Sequence, residues 1–168
     1  MIEHLIMMRD DSLVSVIMPS YNCGQYVLEA IRSVQAQTYW NWEIIFMDDC
    51  STDDTVRLVS DLCEKDKRIQ LYQNHTNLGA ALTRNNALRE AKGRWIAFLD
   101  SDDIWEPTKL EKQIEFMEEN GYAFSYTGYQ EIDSASKSLG IYLSGPKQIS
   151  KHGMYNFCWP GCLTVMYD

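Results

Sequence analysis

Asp100, Asp102 and Asp103 fall within four positions at the end of a compact apolar run, Trp95-Ile96-Ala97-Phe98-Leu99, in the stretch "RWIAFLDSDDIWEP". Carboxylates this close repel one another, and near a low-dielectric sheet they are costly unless a cation or hydrogen-bond donors compensate them. A divalent metal held by oxygen ligands and shared with a phosphate-bearing substrate is one economical compensation. The other reading is an acidic surface turn capping the helix that restarts at Pro107, where Asp and Ser are ordinary residues. The stretch by itself leaves both readings open.

A second acidic pair, Asp48-Asp49, ends the apolar run of "WEIIFMDDCSTDDT", and Tyr21 and Asn22 follow Pro19 at the end of "LVSVIMPSYN". Asp49 suits acceptance of a base N–H or a ribose hydroxyl. Asp102 or Asp103 suits Mg2+ or Mn2+, which neutralises a diphosphate and helps it leave. Arg84 suits a charge-assisted contact to phosphate or a base edge, or else a solvated place on its helix. Tyr21 can lay its ring against a base while its hydroxyl stays polar, or serve only as a half-buried aromatic at a strand end.

For these residues to meet, several strand ends must converge. "LVSVIMPSYN" and "WEIIF" lack polar alternation, which predicts strands buried on both faces of a parallel sheet. Val27, Ala30/Ile31 and Val34 recur at helical spacing between them, to an end near Gln37. Ser51, Thr52 and Asp53 are candidate N-caps for a second helix with Val56, Val59 and Leu62/Cys63 inward. "RIQLYQN" follows as a short strand. A third helix after Asn77 is expected to turn Leu78, Ala81/Leu82, Leu88 and Ala91 inward and to stop at Gly93. The acidic stretch supplies the fourth strand. A fourth helix starts with Pro107 at its first position, turns Leu110, Ile114 and Met117 inward, and ends at Gly121. "YAFSYTGYQEID" alternates and reads as a fifth strand. Beyond Asp133 a hairpin or mobile loop, a helical turn near Ser150–Met154 and a last strand from Leu163 to Tyr167 are expected. Strand–helix alternation repeated in this way predicts an α/β domain, a Rossmann-like, mostly parallel sheet flanked by helices. Ligands bind at the carboxyl ends of such strands, and the polar residues collect there. Core packing does not require that coincidence, which favours a site.

Length and composition narrow the function. The 168 residues suit one domain, and the 45% apolar and 23% charged content is typical of globular proteins. No apolar run approaches the roughly 20 residues of a membrane span. "MIEHLIMMRDDS" lacks the features of a signal peptide, so it reads as a short leader and the protein as cytoplasmic. The net charge of −9, from 24 acids against 15 Lys and Arg, argues against nucleic acid as a partner. The odd count of five cysteines predicts reduced thiols. Cys158, Cys162 and His152 fall short of a four-ligand zinc site. "NHT" at Asn74 matches a glycosylation acceptor of no consequence in the cytoplasm. No Gly-x-Gly-x-x-Gly turn, Gly-x4-Gly-Lys-Ser/Thr loop or Gly-x-Ser-x-Gly elbow occurs, so dinucleotide oxidoreductases, P-loop enzymes and α/β-hydrolases are poorly supported.

Taken together, "VSVIMPSYN", "WEIIFMDDCSTDDT", "NLGAALTRNNAL" and "GRWIAFLDSDDIWEPTKLEKQ" resemble, in order and spacing, the family-2 glycosyltransferases of the GT-A fold. The resemblance covers Leu13 to Asp133 continuously and the rest more loosely, and is nearest to bacterial enzymes of surface-polysaccharide synthesis. It implies inverting transfer of a sugar from a nucleoside diphosphate, UDP favoured, to a saccharide or lipid-linked saccharide acceptor, with Mn2+ or Mg2+. Peripheral membrane association of the whole protein would fit. Pro19, Tyr21 and Asn22 match the first nucleotide-contacting segment, Asp49 the base-recognising carboxylate, and Asp100-Ser101-Asp102 the Asp-x-Asp motif. In that motif Asp102 or Asp103 meets the metal and Asp100 lies nearer the ribose; Arg84 joins the donor-contacting set. Cys50 stands where many relatives have Gly. Residues 1–12 are then a leader, 13–133 the nucleotide-sugar part, and 134–168 the start of an acceptor-side part.

Inverting transfer needs a base for the acceptor's proton. In the family it follows the strand that "LTVMYD" begins, and Asp168 comes too early to be it. The expectation is a fragment that binds donor but transfers little, its C-terminal part missing and its base beyond Asp168. Two alternatives stand beside this reading: a sugar-1-phosphate nucleotidyltransferase, whose Gly-rich basic loop "PSYNCGQY" lacks, and a non-catalytic nucleotide-sugar-binding or scaffold domain.

Overall fold

The structure, a computed structural model, describes residues 12–150, 153 and 160–168. The leader expected over 1–12, the helical turn near Ser150–Met154, and Cys158 and His152 lie outside the described residues, but for Ser12, Ser150 and Gly153. Along the chain run β1 (Val14–Ser20), α1 (Val27–Gln35), β2 (Trp42–Asp48), α2 (Thr55–Lys65), β3 (Ile69–Gln73), α3 (Ala80–Glu90), β4 (Trp95–Phe98), α4 (Lys109–Asn120), β5 (Phe124–Ser125), β6 (Tyr129–Ile132), β7 (Ser138–Leu143) and β8 (Met166–Tyr167).

Six strands form one sheet in the order β3-β2-β1-β4-β8-β5. β1 through β4 are parallel, and β8 runs antiparallel to both of its neighbours. β1 and β2 are buried at all seven positions, as their unbroken apolar runs require when helices cover both faces. Val14, Val16 and Met18 pack in the larger core with Ile31, Leu110 and Met117 of α1 and α4; the alternate Ile17 packs with Ile45 and Ala87 on the α3 side. β1 and β2 end together at the Ser20–Asp48 pair, and β4 ends with Phe98 opposite Ile17, so Asp100 follows near the same level. The chain order reverses at β1, with β2 on one flank and β4 on the other. That switch point is where an open α/β sheet leaves a crevice.

Three local expectations change. Leu78 and Leu82 are 40% and 52% exposed, and α3 buries Thr83 and Ala87 instead. The reason is that Asp49 takes the Leu78 and Gly79 N–H groups, which sets the helix start and its rotation. The small Thr83–Ala87 face then lets α3 lie close to the sheet. Gly93 does not stop that helix: α3 ends at Glu90, and a Cβ at Gly93 would meet Leu13 O at 2.5 Å and Ser15 N at 2.6 Å. Glycine is needed there for close approach to β1, where the Gly93 N–H also donates to Ser15 Oγ (2.8 Å). The fifth strand divides into β5, at the sheet edge, and β6, which pairs with β7 in a hairpin that begins before Asp133 rather than beyond it.

Smaller shifts remain. α2 buries Thr55 and Val59, leaving Val56, Leu62 and Cys63 half-buried. α4 begins at Lys109, two residues after Pro107, and closes at Gly121 with left-handed φ of 65° as expected. There the Tyr122 N–H returns to Met117 O at 2.9 Å.

Candidate functional site

The loop after β1 is stitched to the loop after β2. Asn22 donates its N–H to Ser51 Oγ (2.8 Å), and its Oδ1 accepts the Thr52 N–H (2.8 Å). The Cys23 N–H reaches Thr55 Oγ1 at 2.9 Å, and the Gly24 N–H reaches Asp53 Oδ2 at 2.9 Å. Asp53 also accepts the Thr55 N–H (3.0 Å), but the N-cap of α2 is Asp54, which makes no side-chain cap bond, rather than Ser51, Thr52 or Asp53. Tyr21, 50% exposed, projects from this fixed base.

Asp49 lies at the end of β2, where its N–H donates to Ser20 O (2.8 Å). Its carboxylate accepts from Leu78 N and Asn74 Nδ2 at Oδ1, and from Gly79 N at Oδ2, each at 2.8 Å. Burial pushes its pKa up, but the donors from Leu78, Asn74, Gly79 and Thr83 outweigh this and hold it below the ordinary carboxylate value. The next residue, Cys50, sits at φ 66°, a conformation that favours glycine, and its thiol donates to Asn74 O (3.1 Å).

Beyond β4, Asp100 accepts from Arg84 Nη2 at 2.5 Å. Burial of Arg84 opposes its charge, but Asp100 more than compensates and its pKa rises. The Asp103 N–H turns back to Asp100 O at 3.1 Å, bringing the acids together. Asp102 is exposed, whereas Asp103 is half-buried and its carboxyl is pushed up to about 6 by burial and then by Asp102 and Asp100. This end of the site carries negative charge that the protein does not neutralise.

A cavity of about 420 Å³ joins the two ends, and Pro19, Tyr21, Asp49, Arg84, Asp100 and Asp102 all line it. Asn22 does not line it, its amide oxygen being spent on Thr52, and Asp103 opens on the adjoining space instead. The sequence reading missed Ser20 and the Asn77, Gly79, Ala80 and Thr83 side of the wall. Gly79, at φ 79° with nothing near its Cβ position, is the local signal that could have shown a turn facing open space. Ser20 Oγ and Arg84 Nε are buried without hydrogen-bond partners among the described residues, unspent capacity beside the cavity. Asp168, by contrast, pairs with Arg94 (2.8 Å) beside the amino end of β4, the end of that strand away from the cavity.

Among the described residues no group of three or more His, Cys, Asp or Glu is arranged to enclose a metal. No described helix is long and apolar enough to cross a membrane.

Residues 15–159 match the family described as Glycosyl transferase family 2. The chain is 44% identical over 156 residues to TuaG of Bacillus subtilis, described as a teichuronic acid biosynthesis glycosyltransferase (93% of this chain, 62% of that protein). It is 46% identical over 159 residues to the UDP-Glc:alpha-D-GlcNAc-diphosphoundecaprenol beta-1,3-glucosyltransferase WfgD of Escherichia coli (95% of this chain, 61% of that one). The crystal structure of S. aureus TarS 1-349 in complex with UDP superposes with a TM-score of 0.74 at 27% identity, over 92% of this chain and 46% of that chain. The chain thus spans about three fifths of the length of these curated relatives. The parallel sheet with its acidic strand ends has the GT-A fold, and the chain belongs to glycosyltransferase family 2.

Proposed function

We propose that this chain carries the donor half of an inverting glycosyltransferase, which moves a sugar from a nucleoside diphosphate, UDP favoured, to an acceptor hydroxyl in bacterial surface-polysaccharide synthesis. The observation that carries the reading is the cavity at the switch point, with the buried, satisfied Asp49 at one end and, at the other, exposed Asp102 next to Asp103, which opens on the adjoining space. The names of the relatives support a UDP-sugar donor and a lipid-linked saccharide acceptor, as does UDP in the TarS complex.

Asp102 and Asp103 fit a divalent cation by donor chemistry: adjacent oxygen ligands, one of them driven toward protonation by burial and then by like charge. Two carboxylates are too few for a cage, so donor phosphates must supply further ligands. Bound there, Mn2+ or Mg2+ would neutralise the diphosphate and ease its departure. The protein's own groups bind and orient. Tyr21 offers a face to the base, and Asp49, held by Leu78, Gly79, Asn74 and Thr83, is the carboxylate at the end of the cavity where a base or ribose donor would be read. Asp100 takes a ribose hydroxyl while tethering Arg84, whose Nε remains for a phosphate oxygen. Asp168 makes a poor base, since Arg94 holds its carboxyl below the ordinary value. Asp168 is therefore assigned no part in the transfer.

Calorimetric titration of UDP with and without Mn2+ tests the reading. Metal-dependent binding, weakened roughly 10–100-fold in Asp102→Asn/Asp103→Asn, is expected. No nucleotide binding would leave a scaffold domain. Pyrophosphate release from a nucleoside triphosphate and a sugar 1-phosphate would replace the transferase with a nucleotidyltransferase.

A further inference from the structure

Asp49 is oriented by side chains that lie outside the cavity it lines. Asn74, in the loop between β3 and α3, donates its side-chain N–H groups to Asp49 Oδ1 (2.8 Å) and to Thr83 Oγ1 (3.0 Å). Thr83, fully buried, gives its own hydroxyl proton to Asp49. Asn74 Oδ1 accepts from Asn86 Nδ2 at 2.8 Å, and Asn86 Oδ1 in turn accepts from Arg89 Nη1 at 2.6 Å. A row of side chains thus runs from the surface of α3 to Asp49. Thr83 lines the cavity; Asn74, Asn86 and Arg89 do not.

The row has one direction. Arg89 can only donate and an ionised Asp49 can only accept, so both amides between them turn their nitrogens toward Asp49 and their oxygens toward Arg89. Those two ends therefore decide which way each amide faces. Leu78 and Gly79 offer Asp49 backbone N–H groups, which cannot turn over. Asn74 is different, because rotation of its amide would present oxygen instead of nitrogen. Its backbone is held on both sides: its N–H donates to Asp48 O (2.8 Å), and its carbonyl accepts from the Cys50 thiol (3.1 Å). What remains to be chosen is the rotation of the amide, and Asn86 chooses it. Bonds in such a row polarise one another, and a reversed member loses the bond on each side of it.

We propose that Asn74 is a positioning residue for donor binding: with its amide set by Asn86, it holds Asp49 as a hydrogen-bond acceptor in one orientation, so that the cavity takes a base whose edge offers an N–H. The inference rests on the donor reading and adds to it the residues outside the cavity that make this carboxylate selective. Asn86→Asp tests it without touching the cavity. A carboxylate at position 86 still accepts from Arg89 but offers Asn74 only oxygen, so the Asn74 amide turns over and sets its own oxygen against Asp49. Calorimetric titration of the whole chain compares UDP with inorganic pyrophosphate, both with Mg2+; the second probe lacks the base. In Asn86→Asp, UDP affinity is expected to fall roughly tenfold, with pyrophosphate affinity within about twofold of the parent. Asn74→Asp, isosteric and one link nearer, should give the same split, and carries the test if Asn86→Asp does not fold. A purely structural role for the row would lower the denaturation midpoint without separating the two probes. Unchanged UDP affinity in a folded variant, or equal loss for UDP and pyrophosphate, would overturn the proposal. Failure of the parent chain to bind UDP would instead sink the donor reading beneath it.

Discussion

The donor cavity and the space adjoining it hold the same chemical group under opposite conditions. Asp49 is almost fully buried, yet donors from Leu78, Asn74, Gly79 and Thr83 satisfy it and lower its pKa. Asp103 keeps more exposed surface, yet among the described residues it has no such donors; burial first, and then two like charges, push its carboxyl up to about 6. Burial alone therefore does not tell a structural acid from a ligand-seeking one; the source of the compensating charge does. Asp49 holds the loop that starts α3, and with it the Asn77–Thr83 wall of the cavity. The acids after β4 are left for something that arrives with the substrate.

The comparison breaks first at Asp49. Replacing it by Ala leaves the Leu78 and Gly79 N–H groups without their acceptor and frees Asn74. The expected loss is about 2 kcal/mol in urea denaturation. Because its folded pKa lies below the unfolded value, its contribution is present above about pH 4 and disappears as the pH falls through the folded pKa. An Asp49→Ala protein as stable as the parent at neutral pH would remove the structural half of the contrast.

At Asp103 the sign inverts. The folded pKa lies above the unfolded one, so the native state binds more protons between about pH 4 and the folded value of about 6, and this group's contribution falls as the pH rises through that window. In metal-free buffer, Asp103→Asn should be neutral near pH 4 and more stable than the parent by about 1 kcal/mol above pH 6, after allowance for partial exposure. Saturating Mn2+ and UDP should shrink that gain, since a bound cation compensates the charge the substitution removes. A gain independent of pH would show that relief of charge repulsion is not its source.

How much of this the sequence made legible divides along the same line. Strand runs such as "VSVIM" and "WEIIFM" announce burial on both faces because every residue repeats the same message, and strand–helix alternation then aligns their ends. The phase of α3 was not legible, because it depends on Asp49 reaching Leu78 and Gly79, 29 and 30 residues away, rather than on helical periodicity. Leu78 and Leu82 look like core residues in the sequence and are exposed in the fold. Gly93 looked like a helix stop for the same reason: its constraint comes from Ser15 and Leu13 of a distant segment. Asn22 matched a substrate-contacting motif, yet its polar groups stitch one loop to another. Chemistry at strand ends is readable locally; donors supplied across the sheet are not.

The smallest expected effect lies beside Asp49 and tests how firmly that end is held. Cys50 adopts φ 66°, which for a residue with a Cβ costs about 1 kcal/mol or more relative to glycine. The strain persists because its neighbours are fixed: Asp49 by the α3 loop, and Ser51 by its N–H to Asp48 Oδ2 at 3.1 Å. Cys50→Gly removes the strain but loosens the unfolded chain and loses the thiol bond to Asn74 O, so a net gain of about 0.5 kcal/mol is expected. UDP affinity should not change, because the acids on either side of the cavity stay where they are. If Cys50→Gly instead destabilises the protein, the Sγ–Asn74 contact helps to hold the Asn74 amide on Asp49, and the satisfied end of the cavity extends one residue further than its carboxylate.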